Sequence, residues 1–184
     1  MPRTIFDFDP PDRFVAGTVG QPGDRTFYLQ ATGTGRTVSV ALEKVQVQVL
    51  AERLAELLET ARRTGATLPA TAGTELEDTA PLDAPVEEEF RVGTMGLAWD
   101  GEQDRVVIEA LAQTEAVEGQ EVEPLSDDAE GPDALRVHLS ASAARGFVQR
   151  AQRVVAAGRP PCPLCGLPLD AEGHVCPRQN GHRR

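Results

Sequence analysis

Cysteine is missing from the first 161 residues, lysine occurs once, at Lys44, and histidine three times in 184 residues. A body without thiols has no disulfide framework to staple it and no cysteine nucleophile. The chain also lacks a GxxxxGKS/T phosphate loop, a GxSxG elbow and an HExxH helix. The usual residues of nucleotide-dependent, serine-nucleophile and zinc-protease chemistry are therefore not there. No apolar run approaches the roughly 18 residues needed to cross a bilayer. The opening "MPRTIFDFDPPDRF" is acidic and proline-bearing, unlike a secretory leader. The expectation is a cytoplasmic protein with no membrane span. His138, the sole histidine before the C-terminal end, falls in an alternating apolar run and reads as a structural residue rather than a base.

Charge is abundant but uneven. The net charge is −11, yet from Arg145 onward seven arginines face only Asp170 and Glu172, which leaves −16 on the first 144 residues. Such a body repels nucleic acid and anionic membrane surfaces. The near-exclusive use of arginine, with plentiful Ala, Gly and Val, reads as the codon usage of a GC-rich bacterial genome. Two stretches hold no basic residue: the one between Arg63 and Arg91, with seven carboxylates and three prolines, and residues 106–134, with eight carboxylates in 115–133. Both read as solvated, self-repelling linkers.

Between these stretches the sequence echoes itself. "FVAGTVG" at 14–20 matches "FRVGTMG" at 90–96. Each is followed by an Asp-Arg pair, Asp24-Arg25 or Asp104-Arg105, and by an apolar run, "TFYLQA" or "VVIEALA". Then come an alternating strand, "VSVAL" or "LRVHL", and a helical pattern. "QPGD" and "DGEQD" mark hairpins. Val47, Leu50, Leu54, Leu57, Leu58 and Ala61 form one helical stripe that Gly65 ends, and Ser140 or Ser142 can cap the second helix. The expectation is an α+β body of two duplicated β-β-β-α units with antiparallel strands, related by a pseudo-two-fold. Repeat one covers about 14–65, an acidic linker 66–89 and repeat two about 90–158. The body is residues 1–158 and a metal-binding tail is 159–184.

The tail holds "CPLCGLPLDAEGHVC". Cys162 and Cys165, three positions apart, can face one ion, and the following Gly166 allows a left-handed turn that aims backbone N–H groups at sulfur. His174 and Cys176, two apart in an extended segment, project to one side. Three thiolates and an imidazole point to one structural zinc in a zinc-knuckle or zinc-ribbon-like appendage, with His182 as the alternative to His174. About 25 residues build no apolar core of their own, so the ion would supply the folding energy.

"RFVAGTVGQPGDRTFYLQA" together with "CPLCGLPLDAEGHVCPRQNG" resembles the actinobacterial family DUF3090, and the resemblance extends over essentially the whole chain. It implies no activity. From the residues, the leading expectation is a zinc-containing, non-catalytic regulatory protein that binds a protein partner. The alternative is an enzyme or ligand sensor that holds a phosphorylated or carboxylate small molecule between the repeats, on Arg25, Arg105, Thr18 and Thr94. Nucleic-acid binding through Arg178, Arg183 and Arg184 ranks last, because residues 159–184 contain no aromatic residue to stack on a base.

Overall fold

The structure is a computed structural model that describes residues 2–67, 77–115, 123–158, 160–169 and 173–178. Strand β1 (Ile5–Phe8) is followed by a meander of β2 (Arg13–Gln21), β3 (Asp24–Gly33) and β4 (Arg36–Leu42) and by helix α1 (Lys44–Arg63). A second meander, β5 (Glu88–Asp100), β6 (Arg105–Ala112) and β7 (Ala134–Ser140), leads into helix α2 (Ala141–Ala156). All seven strands form one sheet in the order β1-β7-β6-β5-β4-β3-β2. Among the described residues no helix is long and apolar enough to cross a membrane.

Strands β2 to β7 lie where the sequence expectation puts them, β1 is an addition to it, and the turns explain the strand ends. Gln21 pairs with Asp24 around Pro22 and Gly23, the latter at φ +93°. Proline followed by a glycine at positive φ is the pattern of a type II turn. Gly33 pairs with Arg36 across Thr34 and Gly35, both at positive φ, as a tight I′-like hairpin demands. Helix α1 buries Val47, Leu50, Leu54, Leu58 and Ala61 from its expected stripe, and Gly65 follows it at φ +103°. Ser140 caps α2 by accepting from the Ala143 N–H at 3.1 Å.

The expectation of a purely antiparallel sheet with a pseudo-two-fold is corrected. The sheet is mixed, because β4 runs parallel to β5, and β1 runs parallel to β7 at one edge. A two-fold normal to the sheet would make β4 and β5 antiparallel. The crossover through α1 brings the chain back in the same direction, so the second meander succeeds the first sideways across the sheet. The motif echo also sits at different heights in the two hairpins: Gly20 is opposite Arg25, next to its turn, whereas Gly96 is opposite Glu109, three residues further from its turn. Phe14 is buried and stacks on Phe147 at 4.7 Å, while Phe90 is only half-buried.

Both helices pack on one face of the sheet, over Leu29, Val40, Leu42, Ile108, Val137 and Leu139. The described parts of the acidic connections lie on the other side, docked on the sheet while most of their carboxylates still face water. Residues 77–83 run along the edge strand β2 and then over the open face. Arg13 binds Asp78 at 2.6 Å and the carbonyls of Ala80 and Pro81, and buried Arg150 reaches from α2 to the Ala16 carbonyl and to Asp78. Leu82 lies so close to Gly17 that a Cβ there would meet it at 2.6 Å. Buried Gln30 clamps both the N–H and the carbonyl of Asp83. The second connection does the same over β6. Pro124 lies against Gly96, and fully buried Glu109 accepts from the Leu125 N–H at 2.8 Å and from Arg136 at 2.7 Å, with Arg3 3.6 Å away. Residues 68–76 and 116–122 lie outside the described residues.

Removing one partner of a buried ion pair leaves the other charge unpaired, at about 3–5 kcal/mol. Glu109→Ala, which leaves buried Arg3 without a carboxylate and Arg136 with Asp127 alone, is therefore expected to destabilise the protein by about that amount in urea unfolding. Asp78 gives a pH signature. Its hydrogen bond from Arg13, with the nearby charge of Arg150, holds the carboxyl below the usual aspartate range against its partial burial. A depressed folded pKa contributes stability that is fully present above the unfolded value of about 3.9 and is lost as the pH falls through the lower folded value. Between about pH 4.5 and 3, Asp78→Asn is accordingly expected to lose less stability than the parent chain in acid unfolding followed by circular dichroism.

Candidate metal centre

After α2 stops, the prolines at 160, 161, 163 and 168 rule out further helix and favour extended and turn conformations. Pro161 and Pro168 bridge as the base of a small hairpin, with the Leu169 N–H donating to the Pro160 carbonyl and the Cys162 N–H to the Leu167 carbonyl at 2.7 Å. Inside it the Gly166 N–H closes on the Cys162 carbonyl at 2.8 Å, and Gly166 takes φ +75°, the left-handed conformation the knuckle requires. The returning segment carries His174 and Cys176 to the same point.

One ligand atom from each of Cys162, Cys165, His174 and Cys176 lies within 4.8 Å of all the others. The Cys162 and Cys176 sulfurs are 4.0 Å apart, and the Cys165 sulfur is 3.2 Å from His174 Nε2. A disulfide would need sulfurs about 2.05 Å apart, and all three cysteines are free. Sulfurs on a tetrahedral ion at about 2.3 Å are separated by roughly 3.8 Å, close to the distance between Cys162 and Cys176. The four residues therefore fit a metal ion. Cys162 and Cys176 are buried, while Cys165 and His174 are half-exposed.

Backbone dipoles prepare the site for anionic sulfur. The N–H groups of Leu164 and Cys165 lower the Cys162 thiol, as the knuckle geometry predicts. At Cys165 the Leu167 N–H acts in the same direction, but burial and the neighbouring thiols of Cys176 and Cys162 outweigh it and leave this thiol raised. One thiol ready to ionise beside one that resists is what crowding of like charges produces, and a divalent cation removes that conflict. His182 lies outside the described residues.

The other expected site residues are not gathered. Arg25 and Arg105 begin β3 and β6, which β4 and β5 separate by about 14 Å at ~4.8 Å per strand. Arg25 donates to the carbonyls of Val154 and Ala157 at the end of α2 and stacks over Phe27, whereas Arg105 pairs with Asp9 and Asp100. Thr18 lies on β2 beside the docked 77–82 segment, and Thr94 is exposed at an irregularity of β5. The expectation of one anion held by both arginines fails because the meanders follow one another sideways instead of facing each other about a two-fold. Arg25 instead shares a cleft with Lys44 and Arg91, two residues sequence reasoning did not select. The only available signal was that Lys44 is the sole lysine.

Replacing Cys162 or Cys176 with serine is expected to weaken metal binding at least tenfold in competition with a chromophoric chelator, because neither thiolate can be replaced by water without opening the buried side of the site. Arg25→Ala should leave metal affinity unchanged. No curated protein and no solved structure matches the chain. A family model described as a protein of unknown function, DUF3090, matches residues 6–176, and the chain belongs to that family.

Proposed function

We propose that the protein is a zinc-containing, non-catalytic regulatory protein that binds a protein partner in the reducing cytoplasm. On this reading the tail, residues 159–184, is a separate unit folded by its ion, and the body, residues 1–158, descends from a duplicated strand-strand-strand-helix unit. Three thiolates and one imidazole suit zinc better than the oxygen-seeking cations, and four protein ligands leave no open position for water or substrate. A closed site of this kind holds structure together rather than performing hydrolysis.

The observation that carries the reading is where the tail's apolar residues lie. Leu164, Leu167 and Val175 are 47%, 51% and 82% exposed. In so short a hairpin they would be the core if it had one. With the metal supplying the fold, they are left as a contact surface, and Arg178 adds positive charge at one end of a predominantly negative protein. A non-polar patch with a basic rim suits a partner with an apolar groove edged by carboxylates. The same charge distribution makes nucleic acid a poor partner.

One zinc per chain is expected by elemental analysis of protein purified without chelator, and chelation should abolish the tail's chemical-shift dispersion while the sheet and its two helices persist. In pull-downs from the native host, Leu164→Asp with Leu167→Asp should lose the specific partner while zinc content stays at one per chain. Undiminished recovery by that variant would overturn the partner reading. A metal content near zero would overturn the zinc.

A further inference from the structure

We propose that the cleft between the start of β3, the start of α1 and the C-terminal tail binds a phosphate monoester. The cleft, about 430 Å³, is lined by Arg25, Lys44 and Arg91, with Glu43 as the one carboxylate among the described residues. Three cations against one anion leave +2 at one spot on a chain whose net charge is −11. That excess matches the charge of a phosphomonoester dianion, and guanidinium groups suit its oxygens.

The cations are held in place by different elements. Arg25 is fixed from below by the Phe27 ring, 4.8 Å from its guanidinium carbon, and from the side by the α2 carbonyls of Val154 and Ala157. Arg91 comes from β5 and is steadied by Glu43 at 2.9 Å. Lys44 forms no ion pair or hydrogen bond among the described residues, although a Cβ on Gly158 would lie 3.2 Å from its Nζ and 3.8 Å from Arg25 Nη2. Two cations thus flank one glycine beside the last carbonyls of α2, with no carboxylate among the described residues between them. Like charges kept this close raise the energy of the empty cleft, and an oxyanion that accepts from both relieves it.

The volume exceeds what a bare phosphate fills and falls in the range of small-ligand clefts. Leu42 and, from the tail, Pro168 supply apolar wall beside the cations, which is room for the organic part of an ester. The sugar-like or aliphatic remainder is not specified by any other charged group in the lining. Because Pro168 belongs to the metal-held hairpin, ligand and tail meet at this cleft, but the site is independent of the zinc reading.

The test uses the full chain with its metal content measured on the same sample, titrated with inorganic phosphate and with phenyl phosphate at constant ionic strength and followed by calorimetry. Saturable binding is expected for both, with phenyl phosphate the tighter. Lys44→Gln and Arg91→Gln should each weaken it about tenfold. Arg53→Gln, on the exposed side of α1, should change nothing. Lys44 is exposed, so its variant is expected to keep the parent's unfolding midpoint and to report binding alone. No saturable binding, equal affinity across these variants, or binding of inorganic phosphate without phenyl phosphate would each overturn the proposal. Phosphomonoester binding by a sample purified without chelator whose metal content is near zero would count against the metal reading and leave this one standing.

Discussion

A sheet with helices on one side only must find something else to cover its other side, and every unusual feature of this body follows from that constraint. Two helices bury one face, and among the described residues there is no third or fourth to bury the second. The chain uses its connections instead. Residues 77–83 cross the first meander and residues 124–126 the second, each held by a polar side chain buried in the middle strand, Gln30 in one case and Glu109 in the other. Buried polar atoms without partners are costly, so these two residues specify where the crossing segments lie.

The same constraint accounts for the distribution of charge. The crossing segments are rich in carboxylates, and the sheet and α2 present arginines to them: Arg13 and Arg150 to Asp78, and Arg136, itself held by Glu109 of β6, to Asp127. Arg150, shielded by α2, is lowered chiefly by burial, and the Asp78 charge offsets that effect. Asp78, Asp83, Glu109 and Asp127 are therefore counter-charge for a few inward arginines. The edge strand β2 is protected by the same segment, which occupies the side where another chain would otherwise pair.

After α2 the chain leaves this pattern of covering and forms a hairpin whose Cys and His side chains can hold a metal ion. The tail keeps its leucines outside and its sulfurs inside, the reverse of an apolar fold. Its hairpin lies against the start of β3 and the start of α1 and contributes one wall of the cationic cleft. Metal site, cleft and the end of α2 are thus neighbours, although the residues that make them are dispersed from Gly23 to Cys176.

Local patterns were enough for β2 to β7, for both helices and for the Cys/His cluster that can hold a metal, but not for β1. Period-two runs, the Pro-Gly turn and the stripe from Val47 to Ala61 act over a few residues, and so does the CxxCG knuckle, whose partners lie fewer than a dozen positions away. Tertiary structure alone decided how the meanders are arranged. The sideways succession depends on which way α1 crosses, a choice made by packing over the whole sheet that no short motif encodes. It also decided that acidic, proline-bearing segments lie on the sheet, since composition reports their affinity for water but not the buried Gln30 and Glu109 waiting for their backbone. For the same reason Arg25 met Lys44 and Arg91 rather than Arg105: charges on separate strands become neighbours only when strand order is known, and that order is a property of the folded chain.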